Sequence, residues 1–312
     1  MASPRERFDV SSADLARAAR LLVVRSRREA TGLFAGNYVS AFRGGGLEFE
    51  ESRPYVPGDD VRTIDWNATA RHGETFVKRF REERDQTLLF ALDVSASMRF
   101  ASVGSSKAAT AAHALALLAA AASRAGDRMG LAAFDDRVRA LLPVARGVAH
   151  GWRLVQTAVE CAASSAGGTH LGAGLRAIRA GTRRRAVLVI LSDFRDERLF
   201  GGASEATLSD LARRHDLVSA IPLDPRELSL PRVGAVRIAD PEQPGRTFVL
   251  DTRSRRARRR YLAACAARRS ELAGRLRRIG AEIVWLRTDR NPLYPLGRFF
   301  NERAGRRRRG TA

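Results

Sequence analysis

From residue 87 onward, short apolar runs alternate with longer stretches of helical period. Residues 88–94, 129–134, 186–192, 217–223 and 281–286 are near-continuous apolar segments, as expected of strands buried on both faces of a parallel sheet. Between and around them the pattern predicts helices over 106–124, 148–163, 171–182, 205–215 and 255–279. Residues 138–142 follow Asp135-Asp136-Arg137 closely enough to be the antiparallel hairpin partner of 129–134. Pro222, Pro225 and Pro231 mark a loop before short strands at 233–238 and 247–250. The alternation predicts an α/β fold: a doubly wound, mostly parallel sheet with a helix-plus-strand extension at the amino end.

That extension, residues 1–83, has a different texture. A helix is predicted over 12–27, and Gly44-Gly45-Gly46 precedes an alternating strand at 47–51, with a second strand at 76–80. The segment between holds Arg53, Tyr55, Gly58, Asp59, Arg62, Asp65, Trp66 and Arg71. Its expected form is a salt-bridged clasp: Asp59 and Asp65 pair with Arg53, Arg62 or Arg71 around the Gly58-Asp59 turn, anchored by Tyr55 and Trp66. The main domain then runs over 84–290. Residues 291–312 are expected as a short helix and a disordered basic tail.

Composition changes this picture little. At 312 residues the chain has ample material for a core, and its 45% hydrophobic content is that of a globular protein. The net charge of +21 attracts acidic partners or nucleic acid without specificity. Only Lys78 and Lys107 are lysines, and this arginine- and alanine-rich bias points to a GC-rich coding background. No aromatics interleave with the arginine runs, so specific nucleic-acid recognition does not follow. Cys161 and Cys265 fall in predicted helices and read as small hydrophobes in a reducing compartment. No zinc spacing exists among the cysteines and the five histidines. Residues 1–10 carry no signal-peptide core, and 108–122 is mostly alanine, a core helix rather than a span. The expected setting is cytoplasmic, away from membranes.

Chemistry concentrates at the ends of the apolar runs. Asp93-x-Ser95-x-Ser97 closes the first, and alternate residues of an extended chain point the same way. Asp193 closes the run at 186–192, and Thr169 follows Gly167-Gly168 ahead of a helix. Two carboxylates and three hydroxyls make a hard oxygen site suited to Mg²⁺, with Mn²⁺ as the substitute. The plainer reading is that Ser95 and Ser97 cap the next helix and the aspartates bond backbone amides. Lys107 reads as solvated, since no glycine-rich phosphate loop precedes it.

The order Asp93, Ser95, Ser97, Thr169, Asp193 resembles the metal-ion-dependent adhesion site of von Willebrand factor A domains. Tyr55, Gly58, Asp59, Arg62, Ile64, Asp65, Trp66, Ala70 and Arg71, followed closely by that site, resemble a bacterial family, the domain of unknown function numbered fifty-eight. The resemblance implies a von Willebrand factor A-like fold and a partnership with MoxR-type AAA+ ATPases or their clients. It also implies a metal site whose open position takes an acidic residue of a protein partner. The function expected is therefore a metal-dependent interaction module rather than an enzyme. The alternatives are a Mg²⁺-dependent hydrolase or phosphotransferase, which lacks an evident base or activated nucleophile, and an arginine-rich nucleic-acid-associated protein.

Overall fold

The computed structural model describes residues 12–42, 47–82, 86–165, 167–182, 184–196, 198–239 and 247–310. The glycine run 44–46 and the amino-terminal residues 1–10 discussed above lie outside the described residues. In chain order the elements are α1 (Ser12–Glu29), α2 (Leu33–Phe42), β1 (Leu47–Pro54), α3 (Trp66–His72), β2 (Phe76–Glu82), β3 (Thr87–Asp93), α4 (Lys107–Ala125), β4 (Arg128–Phe134) and β5 (Val138–Ala145). They continue with α5 (Val148–Ser164), α6 (Leu171–Gly181), β6 (Val187–Leu191), α7 (Gly202–Arg214) and β7 (Asp216–Leu223). The last are β8 (Ala235–Ala239), β9 (Thr247–Asp251), α8 (Arg255–Arg278), β10 (Glu282–Arg287) and α9 (Leu293–Gly310).

Six strands form the central sheet in the order β10-β7-β6-β3-β4-β5. All neighbours are parallel except β4 and β5, the hairpin expected from 138–142. Alternate side chains of β3 feed two separate cores. Leu88, Phe90 and Leu92 join α4, α5, α2 and α9 on one face. Leu89 and Ala91 join α6, α7 and α8 on the other. A strand buried on both sides needs apolar residues at every position, which is why the run at 88–92 shows no alternation. The approach of α6 to β4 is close enough that a Cβ on Gly174 would stand 2.2 Å from the Phe134 ring, so only glycine fits there.

The main-domain helix 107–125 is a core helix, as its alanine content implied. It is long and apolar enough to cross a membrane by composition, yet 67% of its apolar window is buried inside the molecule. The carboxyl end departs from expectation. In place of a short helix and a disordered tail, α9 continues to Gly310. Its Phe300 packs against Phe34, Tyr38 and Phe42 of α2 at centroid distances of 5.3–5.8 Å. The Arg303 guanidinium bonds Glu282 and Asp216 at the starts of β10 and β7, and its Nε donates to the Ala41 carbonyl at 2.9 Å. Charged sequence alone does not reveal such a clamp, because the pairing carboxylates are distant in the chain.

The extension also needs correction. α2 and α3 are helices that the hydrophobic pattern did not announce, the first too short and the second too polar to show period. The Arg53–Asp59 pair forms, at 2.6 Å. Asp65, however, pairs with no arginine among the described residues: it caps α3, accepting the Asn67 and Ala68 amides and the Ser52 hydroxyl. Tyr55 and Trp66 are not anchors either, being 36% and 71% exposed. The side chain of Arg62 lies outside the description.

Candidate functional site

β3 and β6 lie side by side at the centre of the sheet, and their chains leave in opposite directions. From β3 the chain crosses through α4 to β4; from β6 it crosses through α7 to β7 on the other side. The carboxyl ends of two such strands bound a crevice, the usual ligand position of open α/β sheets. Asp93 ends β3, and Ser192-Asp193 follows β6, so sheet register alone brings both carboxylates to this crevice.

The turn after β3 is a short 3₁₀ segment, Ala96–Arg99, with Ser95 before it in extended conformation. Ser95 donates both its amide (2.9 Å) and its hydroxyl (2.5 Å) to Asp93 Oδ1, while Ser192 donates to Asp93 Oδ2 at 2.6 Å. The Ala96 amide bonds the Gly167 carbonyl at 2.9 Å, which draws in the loop carrying Thr169. That loop is held from behind by Asp135. Its side chain accepts from the Ser165 hydroxyl and its carbonyl from the His170 amide.

Four oxygens then meet. Thr169 Oγ1 lies 2.8 Å from Ser95 Oγ and 3.5 Å from Ser97 Oγ. Ser97 Oγ is 3.3 Å from both Ser95 Oγ and Asp193 Oδ1. Asp93, Ser95, Ser97 and Asp193 are buried and Thr169 is half-buried, so the cluster is reached from the Thr169 side. The five residues singled out in the sequence are thus neighbours, with Asp93 one step behind the hydroxyls it orients.

The other side of Asp193 was not foreseen. Lys107, read from the sequence as solvated, is only 2% exposed, and its Nζ sits 2.9 Å from Asp193 Oδ2 and 3.1 Å from Glu227 Oε1. Arg195 completes the network, 2.6 Å from Glu227 and 3.5 Å from Asp193. Lys107 opens the helix that follows the Asp93 loop, so its place on this edge was legible; its carboxylate partners, one of them beyond β7, were not. Ser192, directly before Asp193, was a similar missed signal.

Electrostatics separate the two aspartates. Burial, then the charge of Asp193, pushes the Asp93 pKa up to about 7, against the pull of the Ser192 and Ser95 bonds. Burial acts on Asp193 in the same sense, but Lys107 and Arg195 outweigh it and hold that carboxyl below its ordinary value. Between Asp193 and Arg195 stands Phe194 with φ of 53°, the one non-glycine residue with positive φ among those described. Left-handed backbone costs such a residue about 1–2 kcal/mol, and burial of its ring at 3% exposure offsets that strain. Asp193 and Arg195, on either side of this kink, line one crevice.

Among the described residues no three His, Cys, Asp or Glu side chains form a metal-holding group. A cation here would therefore depend on hydroxyls. Oxygens on adjacent corners of an octahedron with bonds of about 2.1 Å lie about 3 Å apart. The separations of 2.8–3.5 Å among Ser95, Ser97, Thr169 and Asp193 have that size, so the set fits a small hard ion.

Comparison with known proteins gives a family. The family described as "Protein of unknown function DUF58" matches residues 51–271. An uncharacterized protein of Mycobacterium tuberculosis is 32% identical over 308 residues, covering 98% of this chain and 93% of its own length. A second, from Mycobacterium avium, is 35% identical over 135 residues, 43% of this chain and 75% of that protein. Among solved structures, an aerotolerance-related membrane protein from Bacteroides fragilis aligns with a TM-score of 0.42 at 15% identity, covering 71% of this chain and 99% of that one. BatB from Bacteroides thetaiotaomicron gives 0.42 at 14% identity, over 70% of this chain and 99% of that one. With more than half its length matched, this chain belongs to the DUF58 family.

Proposed function

We propose that this chain is a metal-dependent protein-interaction module of von Willebrand factor A-like architecture, acting as adaptor or partner of a MoxR-type AAA+ ATPase. One observation carries the metal part: four side-chain oxygens from three loops, spaced as the corners of a cation cage, at the switch point of the sheet. The ATPase part rests on the family resemblance of the sequence.

Mg²⁺, with Mn²⁺ as substitute, would be held by Ser95, Ser97, Thr169 and Asp193, with Asp93 supporting from behind. Bound there, the ion supplies an electrophilic position for a carboxylate oxygen. The chain's own residues arrange this. Asp93 accepts a hydrogen bond from the Ser95 hydroxyl, which turns that hydroxyl's lone pairs toward the cluster. The Lys107 and Arg195 side chains occupy Oδ2 of Asp193, while Oδ1 accepts the Arg195 amide and faces the hydroxyl side. Hydroxyl ligands neutralise nothing, so a loaded site stays electropositive and draws an acidic residue from a partner.

Titration calorimetry with MgCl₂ tests the site: wild type should bind, and Thr169→Val and Asp193→Ala should not. Capture of a purified MoxR-type ATPase should then require Mg²⁺ and be abolished by EDTA. Capture by Asp93→Ala and Thr169→Ala as strong as wild type in Mg²⁺ sinks the mechanism.

One observation favours keeping a second reading. Lys107, beside Asp193, supplies a cation next to the hydroxyls that a phosphoester hydrolase could use. Held between two carboxylates it is a counter-charge rather than a base, which favours the binding module. Metal-dependent turnover of phosphoesters, lost in Asp193→Ala, would reverse that preference.

A further inference from the structure

The oxygen cluster opens at Thr169 into a cleft of about 800 Å³, bounded by the loop after β6 and by α8. That volume lies in the upper part of the range of ligand clefts, about 300–1,000 Å³. Arg195, Arg198, Arg268 and Arg275 line it. Two of these are already engaged: Arg195 with Glu227 and Asp193, and Arg275 with Glu271 at 2.5 Å while stacked over Phe200. The other two make no direct ion pair. Arg198 is exposed, and Arg268 donates to the Phe194 carbonyl at 3.2 Å and acts on Asp193 and Glu227 only through its charge; among the described residues neither has a carboxylate at ion-pair distance. Two guanidiniums beside a candidate cation site constitute unspent positive charge in a concave surface.

We infer that this cleft is the second contact of an acidic peptide segment: one carboxylate reaches the cation site at Thr169, and another, further along the segment, pairs with Arg268 and Arg198. The inference rests on the metal-dependent reading for the place of the first carboxylate. Guanidiniums bind carboxylates through paired, charge-assisted hydrogen bonds, which makes them suited to this role. A peptide fits better than a nucleic acid for two reasons. Asp136 and Asp196 also line the cleft and would repel a continuous run of phosphates, whereas a peptide can space its charges between them. Neither phenylalanine of the cleft offers a free face for a base, since Phe194 is buried and Phe200 lies under Arg275.

Fluorescence anisotropy with labelled glycine–serine peptides tests this. The probes carry one glutamate, or two glutamates at varied spacing, with an oligothymidylate as the nucleic-acid probe, each in MgCl₂ or EDTA at physiological salt. The best two-glutamate peptide should bind wild type about tenfold more tightly than the one-glutamate peptide. The Arg198→Gln/Arg268→Gln variant, both positions on the surface of the fold, should lose that advantage and keep its response to Mg²⁺. Thr169→Val should weaken both peptides. The proposal is overturned if no spacing beats the single glutamate, if the double variant keeps the advantage, or if the oligonucleotide binds more tightly than the peptides. If EDTA changes nothing while the arginine variant still loses the advantage, the cleft stands and the metal reading falls.

Discussion

Two polar regions of this chain meet opposite fates. At the carboxyl edge of the central sheet, Asp93, Ser95, Ser97, Lys107 and Asp193 are withdrawn from solvent, each bonded to another member of the group. In the β1–β2 hairpin with α3, Asp59 pairs with Arg53 and the buried Asp65 caps α3 and takes the Ser52 hydroxyl, while Tyr55 and Trp66 face outward. The difference lies in what surrounds each motif. Polar residues that end buried strands are delivered together by sheet register and must satisfy one another. Polar residues in a two-stranded hairpin are satisfied by amides and side chains close in the chain, so they shape the local backbone instead.

The largest expected effect strikes the buried side. Lys107→Met leaves Asp193 and Glu227 short of their shared counter-charge, and removing one partner of a buried ion pair costs about 3–5 kcal/mol. Urea denaturation should show a lowered midpoint with unchanged slope. Lys107→Met/Asp193→Asn should recover part of the loss, because the two changes share one interaction. A Lys107→Met variant as stable as wild type would mean that Arg195 alone balances both carboxylates.

Much of this edge was legible in advance. Continuous apolar runs ending in Asp93 and Asp193 fixed the parallel sheet and placed both carboxylates on one edge, because a strand buried on two faces shows no other pattern. Thr169 was recognisable from its glycines and the helix behind it. Lys107 and Glu227 were not recognisable as partners: they come from different crossovers, and only the sheet order brings them together. The same holds for Arg303, whose clamp turns an arginine-rich tail into α9. Long-range pairing of charges leaves no local period, so sequence reading places such residues in solvent by default.

An intermediate effect should follow from Asp135→Asn. Asp135 holds the Thr169 loop through Ser165 and pairs with Arg139 at 2.5 Å. Burial alone would raise its pKa, but the Arg139 and Ser165 bonds reverse this and hold it well below the ordinary value. The folded state therefore takes up its proton at lower pH than the unfolded chain. The stabilisation is complete above about pH 4, the unfolded value, and is lost as pH falls through the folded value. The asparagine variant should be about 1–3 kcal/mol less stable than wild type at neutral pH. That gap should narrow in denaturation series carried below pH 4. A gap that stays constant with pH would assign the loss to loop geometry rather than charge.

Smaller still is the expected response of the hairpin. Asp65→Ala removes the cap of α3 and the Ser52 bond, so it should loosen that helix and raise amide exchange over residues 66–72. Global melting should move far less than in Lys107→Met, since α3 contributes no buried residue to either core.

Trp66→Ala should do least to stability, within about 0.5 kcal/mol, because an indole 71% exposed has little packing to lose. That expectation sharpens the comparison most. Tyr55, Val56, Val61 and Trp66 are large apolar side chains left in solvent by a segment whose polar residues are well satisfied. A loss of stability approaching that of Asp135→Asn would show that Trp66 packs in solution against something, and the hairpin would then be a structural clasp after all. A neutral result leaves the polar residues of the hairpin, Asp59 and Asp65, as what shapes it, with the aromatics as passengers on its surface.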